Sequence, residues 1–226
     1  MSDFLYGLAR TVLFILFKVF NRLEVFGSEN IPERGGIIVA ANHVSYLDPP
    51  VIGVALKRRA SYIAKEKLFK IPLLGRFIRA YCFPVDRDRP RPSSIKETVS
   101  RLKKGEVVVL FPEGGRSAKG DLLDPKRGVG MIAAMTRSPV IPTRIEGTDR
   151  ALPVGAKFLR PAKIKVIFGN PIKIEKAETD KFAQERISRE VMEGIKNLKS
   201  KKQRAKSIRL NILYSMPFAP CTLLIR

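Results

Sequence analysis

The chain has 226 residues, 45% of them hydrophobic, which is enough apolar material for one packed domain and excludes a disordered tail. Forty-three Lys and Arg against 21 Asp and Glu leave a formal charge of +22, so an anionic partner is expected: nucleic acid, a membrane surface or a phosphorylated substrate. One histidine, His43, and two cysteines, Cys82 and Cys221, are too few for a zinc cluster or a disulfide framework; with no cleavable signal peptide evident, a cytosolic face is expected.

The first element spans Phe4 to Phe20, mostly apolar but carrying Arg10 and Lys18. On a helical wheel Gly7, Arg10, Thr11, Lys18, Asn21 and Arg22 share one arc, on which Phe14 intrudes. Leu5, Leu8, Val12, Ile15, Leu16, Val19 and Phe20 lie opposite, flanked by Leu13 and Phe17. A spanning helix wants about 20 largely uncharged residues. This segment is short and two-faced, so residues 1–22 are expected to form an amphipathic helix that lies in or dips into one leaflet. The competing reading packs the same helix on the domain's own core.

Residues 23–200 are expected to form an α/β domain. Gly36–Ala41 reads as a buried strand, and Pro49–Leu56 as a helix capped by Asp48 with Pro49 at its first position. Ala60–Ala64 reads as a strand, and Lys67–Tyr81 as a helical stretch that Pro72 interrupts or restarts. Cys82–Val85 is a short strand; Ser93–Lys104 is a helix that ends at Gly105 and feeds the strand Glu106–Phe111. Gly128–Thr136 is helical, Val140–Ile145 and Ile164–Phe168 are strands, and Glu178–Lys199 is the last helix. Such alternation predicts a largely parallel or mixed sheet flanked by helices.

Residues 201–226, basic and then apolar, form a tail with no assignment. After Glu193 no acidic residue occurs, while eight Lys and Arg follow; a second basic concentration runs from Lys57 to Arg101. A charge run of this kind is either a solvated surface or an attractor for anionic lipid, worth about 1 kcal/mol per basic residue close to the membrane.

The sole histidine lies in Asn42-His43-Val44-Ser45-Tyr46-Leu47-Asp48, between a strand and a helix. Residues five apart on a helix point in different directions, but a strand-to-helix turn can fold Asp48 back onto His43. A carboxylate on one ring nitrogen fixes the tautomer and leaves the other nitrogen as a base toward a hydroxyl. This is the His–Asp half of a serine-protease triad, with a substrate alcohol in place of the serine. The plainer alternative is a surface histidine beside a helix-capping aspartate.

The second constellation is Phe111-Pro112-Glu113-Gly114-Gly115-Arg116-Ser117, directly after the strongest strand, where α/β proteins place ligands. Gly114 and Gly115 permit unusual backbone angles and expose amides, while Arg116 offers a fork that fits phosphate. It is not a Walker loop, since the spacing and the Lys-Ser/Thr ending are missing.

Together these stretches resemble the 1-acylglycerol-3-phosphate (lysophosphatidate) acyltransferases, a family of glycerolipid acyltransferases. Four blocks occur in the family's order. Asn42-His43 through Asp48 is similar to its H-x4-D pattern, and Phe83-Pro84-Val85-Asp86-Arg87 to its aliphatic run ending in Asp-Arg. Phe111–Ser117 is close to F-P-E-G-T-R-S, and Val140-Ile141-Pro142 to the apolar-proline strand. The resemblance covers roughly Ile31 to Lys199. It departs at Gly115, where the family usually has Thr.

The resemblance implies transfer of a fatty acyl group from acyl-CoA or acyl-carrier protein to the 2-hydroxyl of 1-acyl-glycerol 3-phosphate, making phosphatidic acid. His43 and Asp48 would be catalytic, and Arg87, Glu113, Gly114 and Arg116 would serve the acceptor. No acyl-enzyme, metal or cofactor is implied. The partners would be lysophosphatidate, the acyl thioester and an anionic membrane surface on the cytoplasmic face of the inner or plasma membrane. Within the class the alternative acceptors are glycerol 3-phosphate, another lysophospholipid or an acylated amino-acid lipid. A nucleic-acid module is the less favoured rival, because aromatics do not cluster with Lys and Arg as stacking platforms. A non-catalytic lipid-binding protein is the other.

Overall fold

A computed structural model of the chain describes residues 3–65, 82–85, 92–117, 121–174 and 180–200. The expected helical stretch Lys67–Tyr81 and the tail 201–226 lie outside them. Seven described strands form one sheet: β1 (Glu24–Phe26), β2 (Ile37–Ala41), β3 (Ala60–Lys65), β4 (Cys82–Val85), β5 (Val107–Leu110), β6 (Val140–Glu146) and β7 (Lys165–Phe168). Their spatial order is β1-β7-β6-β2-β5-β3-β4. The described helices are α1 (Asp3–Phe20), α2 (Asp48–Ala55), α3 (Pro92–Lys103), α4 (Gly128–Thr136), the single turn α5 (Thr148–Ala151) and α6 (Lys181–Ser200).

β2 pairs in parallel with β5 on one side and β6 on the other, and every residue of β2 and β5 is buried. Such near-continuous apolar runs suit a sheet covered on both faces. Alternate side chains feed two separate layers. Ile37 and Val39 pack with Phe17, Val51, Ile52 and Leu56, under α1 and α2. Ile38 and Ala40 pack with Ile132, Val191, Met192 and Ile195, under α4 and α6. α4 and α6 come so close at Gly130 that a Cβ there would lie 1.9 Å from the Gln184 carbonyl oxygen.

The sheet is mixed. β6 and β7 are antiparallel, and β1 runs parallel to β7, so these two strands oppose the other five. β1, three residues long, carries no pattern that a sequence reading can detect, and α5 has only four residues. The expected capping role of Asp48 is not what forms. The residue before α2 is Leu47, with no side-chain cap, and Asp48 is the first helical residue, followed by Pro49. Its carboxylate turns back instead to the preceding loop.

α1 packs on the core through Leu13, Phe14 and Phe17 and the Arg10 edge of its polar arc, while Thr11 and Lys18 stay exposed. Phe17 is fully buried, Leu13 and Phe14 pack on the core, and the Arg10 guanidinium donates to the Leu56 carbonyl at 2.6 Å. Leu8, Val12, Ile15, Leu16, Val19 and Phe20 are left facing outward, Val19 at 75% exposure. No described helix is long and apolar enough to cross a membrane.

Candidate active site

β2, β5 and β6 run parallel, so their C-terminal ends share one edge of the sheet, and the loops that follow β2 and β5 meet there. Asn42 continues β2 with its side chain: Oδ1 accepts from the Ile145 amide at 2.7 Å, and Nδ2 donates to the Ile145 carbonyl at 3.0 Å. The main chain is thereby released from the sheet at His43.

Asp48 Oδ2 gathers the turn. It accepts from the Val44 and Ser45 amides at 2.7 and 2.8 Å and lies 2.8 Å from His43 Nδ1. Two amide donors orient the carboxylate. With Asp48 Oδ2 accepting from Nδ1, the imidazole carries its proton there and the lone pair resides on Nε2. Asp48 is fully buried, and His43 is nearly so. The other face of the imidazole stacks on Phe111, with ring centroids 4.1 Å apart and planes inclined by 20°. The expected pair is therefore brought together, and Phe111 joins it.

The backbone of His43 is held from the second loop. Its amide donates to Glu113 Oε1 at 2.9 Å, and its carbonyl accepts from the Ser117 amide at 2.9 Å. Glu113 Oε2 accepts from the Leu123 amide at 3.0 Å. Burial pushes the Glu113 carboxyl above the ordinary carboxylate value; the Leu123 and His43 amides, the His43 ring and Arg144 oppose that shift without overcoming it. Both carboxylate oxygens are thus engaged by main-chain donors.

Gly114 makes the tight turn of this loop. Its φ is +69°, and its amide donates to the Phe111 carbonyl at 3.0 Å. A Cβ at Gly115, by contrast, would meet nothing within 4 Å. Space therefore exists for the threonine that the family pattern carries. Arg116 lies with its guanidinium carbon 3.5 Å from the centroid of the Tyr46 ring, a cation–π contact that ties the second loop to the first. Arg87 lies outside the described residues.

Two participants were not found by sequence reasoning. Tyr46 sits inside the H-x4-D spacer, and no pattern marks its ring as the rest for Arg116. Arg144 is a buried cation on β6 whose Nε and Nη1 have no hydrogen-bond partner among the described residues. Burial pulls its guanidinium below the ordinary arginine value, while Glu146, Glu113 and Asp149 oppose that. The signal was present as a lone charge in the apolar run Val140–Ile145. Among the described residues no three His, Cys, Asp or Glu side chains converge as metal ligands.

The acyltransferase family profile matches residues 22–146. The 1-acyl-sn-glycerol-3-phosphate acyltransferase of Bacillus subtilis is 33% identical over 170 residues, covering 74% of this chain and 82% of that protein. The enzyme of the same name from Cocos nucifera is 34% identical over 166 residues; the match covers 72% of this chain and 53% of the plant protein, so the chain spans about half of that longer relative. Among solved structures, the 1-acyl-sn-glycerophosphate acyltransferase PlsC of Thermotoga maritima superposes with a TM-score of 0.65 at 31% identity, covering 85% of this chain and 82% of that one. With the H-x4-D and F-P-E-G blocks lying side by side at the ends of β2 and β5, the chain belongs to the 1-acylglycerol-3-phosphate acyltransferase family of glycerolipid acyltransferases.

Proposed function

We propose that the protein transfers a fatty acyl group from acyl-CoA or acyl-carrier protein to the 2-hydroxyl of 1-acyl-glycerol 3-phosphate, giving phosphatidic acid. The observation that carries this reading is the 2.8 Å contact between His43 Nδ1 and Asp48 Oδ2, a base with its orienting carboxylate. Nε2 takes the hydroxyl proton as the acceptor oxygen attacks the thioester carbonyl. Asp48 stabilises the imidazolium that forms. Collapse of the tetrahedral intermediate breaks the carbon–sulfur bond, and the departing thiolate takes the proton back from His43. General-base assistance of this kind supplies about 10²–10⁴-fold.

Arg116, with Arg87, is proposed to meet the acceptor phosphate. The roles of Glu113 and Gly114 are then indirect. Glu113 ties the His43 amide to the Leu123 amide, and Gly114 supplies the turn that presents Arg116. The outward apolar stripe of α1 supports a helix seated in one leaflet of an anionic membrane, on its cytoplasmic face, with the basic run after Glu193 adding charge attraction. Residues 1–22, 23–200 and 201–226 are proposed as anchor, catalytic domain and tail.

The test offers purified protein a labelled acyl thioester with a panel of acceptors: lysophosphatidate, glycerol 3-phosphate and other lysophospholipids. Label is expected in phosphatidic acid, and His43→Ala protein is expected to make none. Full activity of that variant overturns the assignment, because the chain has no other histidine.

A further inference from the structure

The segment between α5 and β7 is a loop closed on itself. The Arg160 amide donates to the Ala151 carbonyl at 2.8 Å, so the eight residues between them turn out from the surface and return to it. Leu159 packs back on the α1/α2 layer, but Phe158 is 82% exposed and Val154 also faces outward. A single exposed apolar side chain is ordinary. These two differ because of what the loop is fastened to.

At its outgoing end, the buried Asn21 at the end of α1 donates through Nδ2 to the Arg160 and Ala162 carbonyls at 3.0 and 3.2 Å. The Ile164 amide donates to the Asn21 carbonyl at 3.0 Å. The loop therefore lies beside the end of α1 where Val19 and Phe20 face outward. At its incoming end, Ser45 Oγ donates to the Leu152 carbonyl at 2.9 Å, joining the loop to the turn that carries His43. Lys157 and Arg160 are exposed on the same loop, as is Arg150 just before it. Aromatic and aliphatic tips among basic residues suit the interface of an anionic bilayer.

We propose that the Ala151–Arg160 loop is a second membrane-inserting element, seating Phe158 and Val154 among the acyl chains beside the turn that carries His43. This rests on the reading of α1 as a membrane-seated helix, and the two can fail separately. The chain contains no tryptophan, so a single introduced one is a clean reporter. Full-length Phe158→Trp, Val19→Trp and Phe182→Trp proteins are each mixed with phosphatidylglycerol/phosphatidylcholine vesicles carrying brominated acyl chains. Phe182, 83% exposed on α6 across the sheet from α1, reports the opposite face.

The proposal expects blue-shifted emission and at least twofold quenching at 158 and at 19, with none at 182. Quenching at 19 without quenching at 158 overturns the loop and leaves the helix reading standing. No quenching at either overturns both. Equal quenching at 158 and 182 also overturns the proposal, since adsorption then has no preferred face. Phe158→Asp protein is further expected to lose about tenfold in turnover of vesicle-embedded acceptor while keeping turnover of detergent-dispersed acceptor. Equal loss on both substrates counts against it.

Discussion

Phe111 and His43 stack ring on ring, which places the imidazole between an aromatic face and the Asp48 carboxylate. The ring has one edge fixed by a hydrogen bond and one face fixed by packing, so its remaining nitrogen has a defined direction. Phe111 stands first in the second loop, and through this contact the loop proposed to meet the acceptor also sets the angle of the base.

Phe111→Ala removes the face without touching the hydrogen bond. Misplacing a reacting group by about 1 Å can cost about 10²-fold in rate. A fall of about 10- to 100-fold in kcat is expected, with little change in KM for the acceptor. Steady-state kinetics check this; a pure KM effect would show that Phe111 serves binding.

Asp48→Asn keeps an acceptor for the Val44 and Ser45 amides but removes the charge that stabilises an imidazolium. Activity is expected to drop by about 10²–10⁴-fold. The circular dichroism spectrum should stay unchanged, since the turn retains its hydrogen bonds. Loss of the folded spectrum would instead assign Asp48 to architecture.

Arg116→Ala is expected to raise KM for the phosphorylated acceptor, with the acyl-donor KM unchanged. Tyr46→Ala should move the same constant less, because it removes only the ring beneath the guanidinium, a contact worth about 0.5–1 kcal/mol when exposed. Tyr46→Phe keeps a ring and should resemble the parent. An unaltered acceptor KM in Arg116→Ala protein removes the phosphate role.

Glu113 makes a prediction about pH. Burial raises its carboxyl above the unfolded value, so the native state holds this proton more tightly than the unfolded chain does. Stability then falls as pH rises from the ordinary carboxylate value through the raised one. Glu113→Gln removes that titration. The stability of the parent relative to the variant should be greatest at the acid end of this window and decline toward neutrality. Denaturant unfolding across a pH series checks the sign, and a difference that grows with pH contradicts it.

The strands around the site were legible because they are buried on both faces: Ile37–Ala41 and Val107–Leu110 lie within apolar runs that few other elements tolerate. β1 was not legible, since Glu24, Val25 and Phe26 are too few to show a period. The two faces of α1 could be drawn on a wheel, but not which one meets the protein. That is decided by Phe14 and Phe17, large rings near the polar arc that fit the core, and by the Arg10 bond to Leu56. Asp48 before a helix reads as a cap by local rules. Its actual partners depend on the turn of residues 43–47, a geometry that spacing alone does not specify. Arg144 and Glu113 face one another electrostatically only because the C-terminal ends of β5 and β6 share an edge, a relation that crosses 31 positions of sequence.

The main chain of His43 is gripped on both sides by the second loop, at its amide by Glu113 and at its carbonyl by Ser117. The two blocks are therefore not interchangeable parts. A chimera that takes residues 42–48 from a relative would inherit amide and carbonyl positions tuned to that relative's own partner loop. Exchange of 42–48 together with 111–126 carries the mated pair across intact. Acceptor preference in this family should accordingly be transplanted as a two-loop cassette, and single-loop swaps should yield folded proteins with a misaimed base.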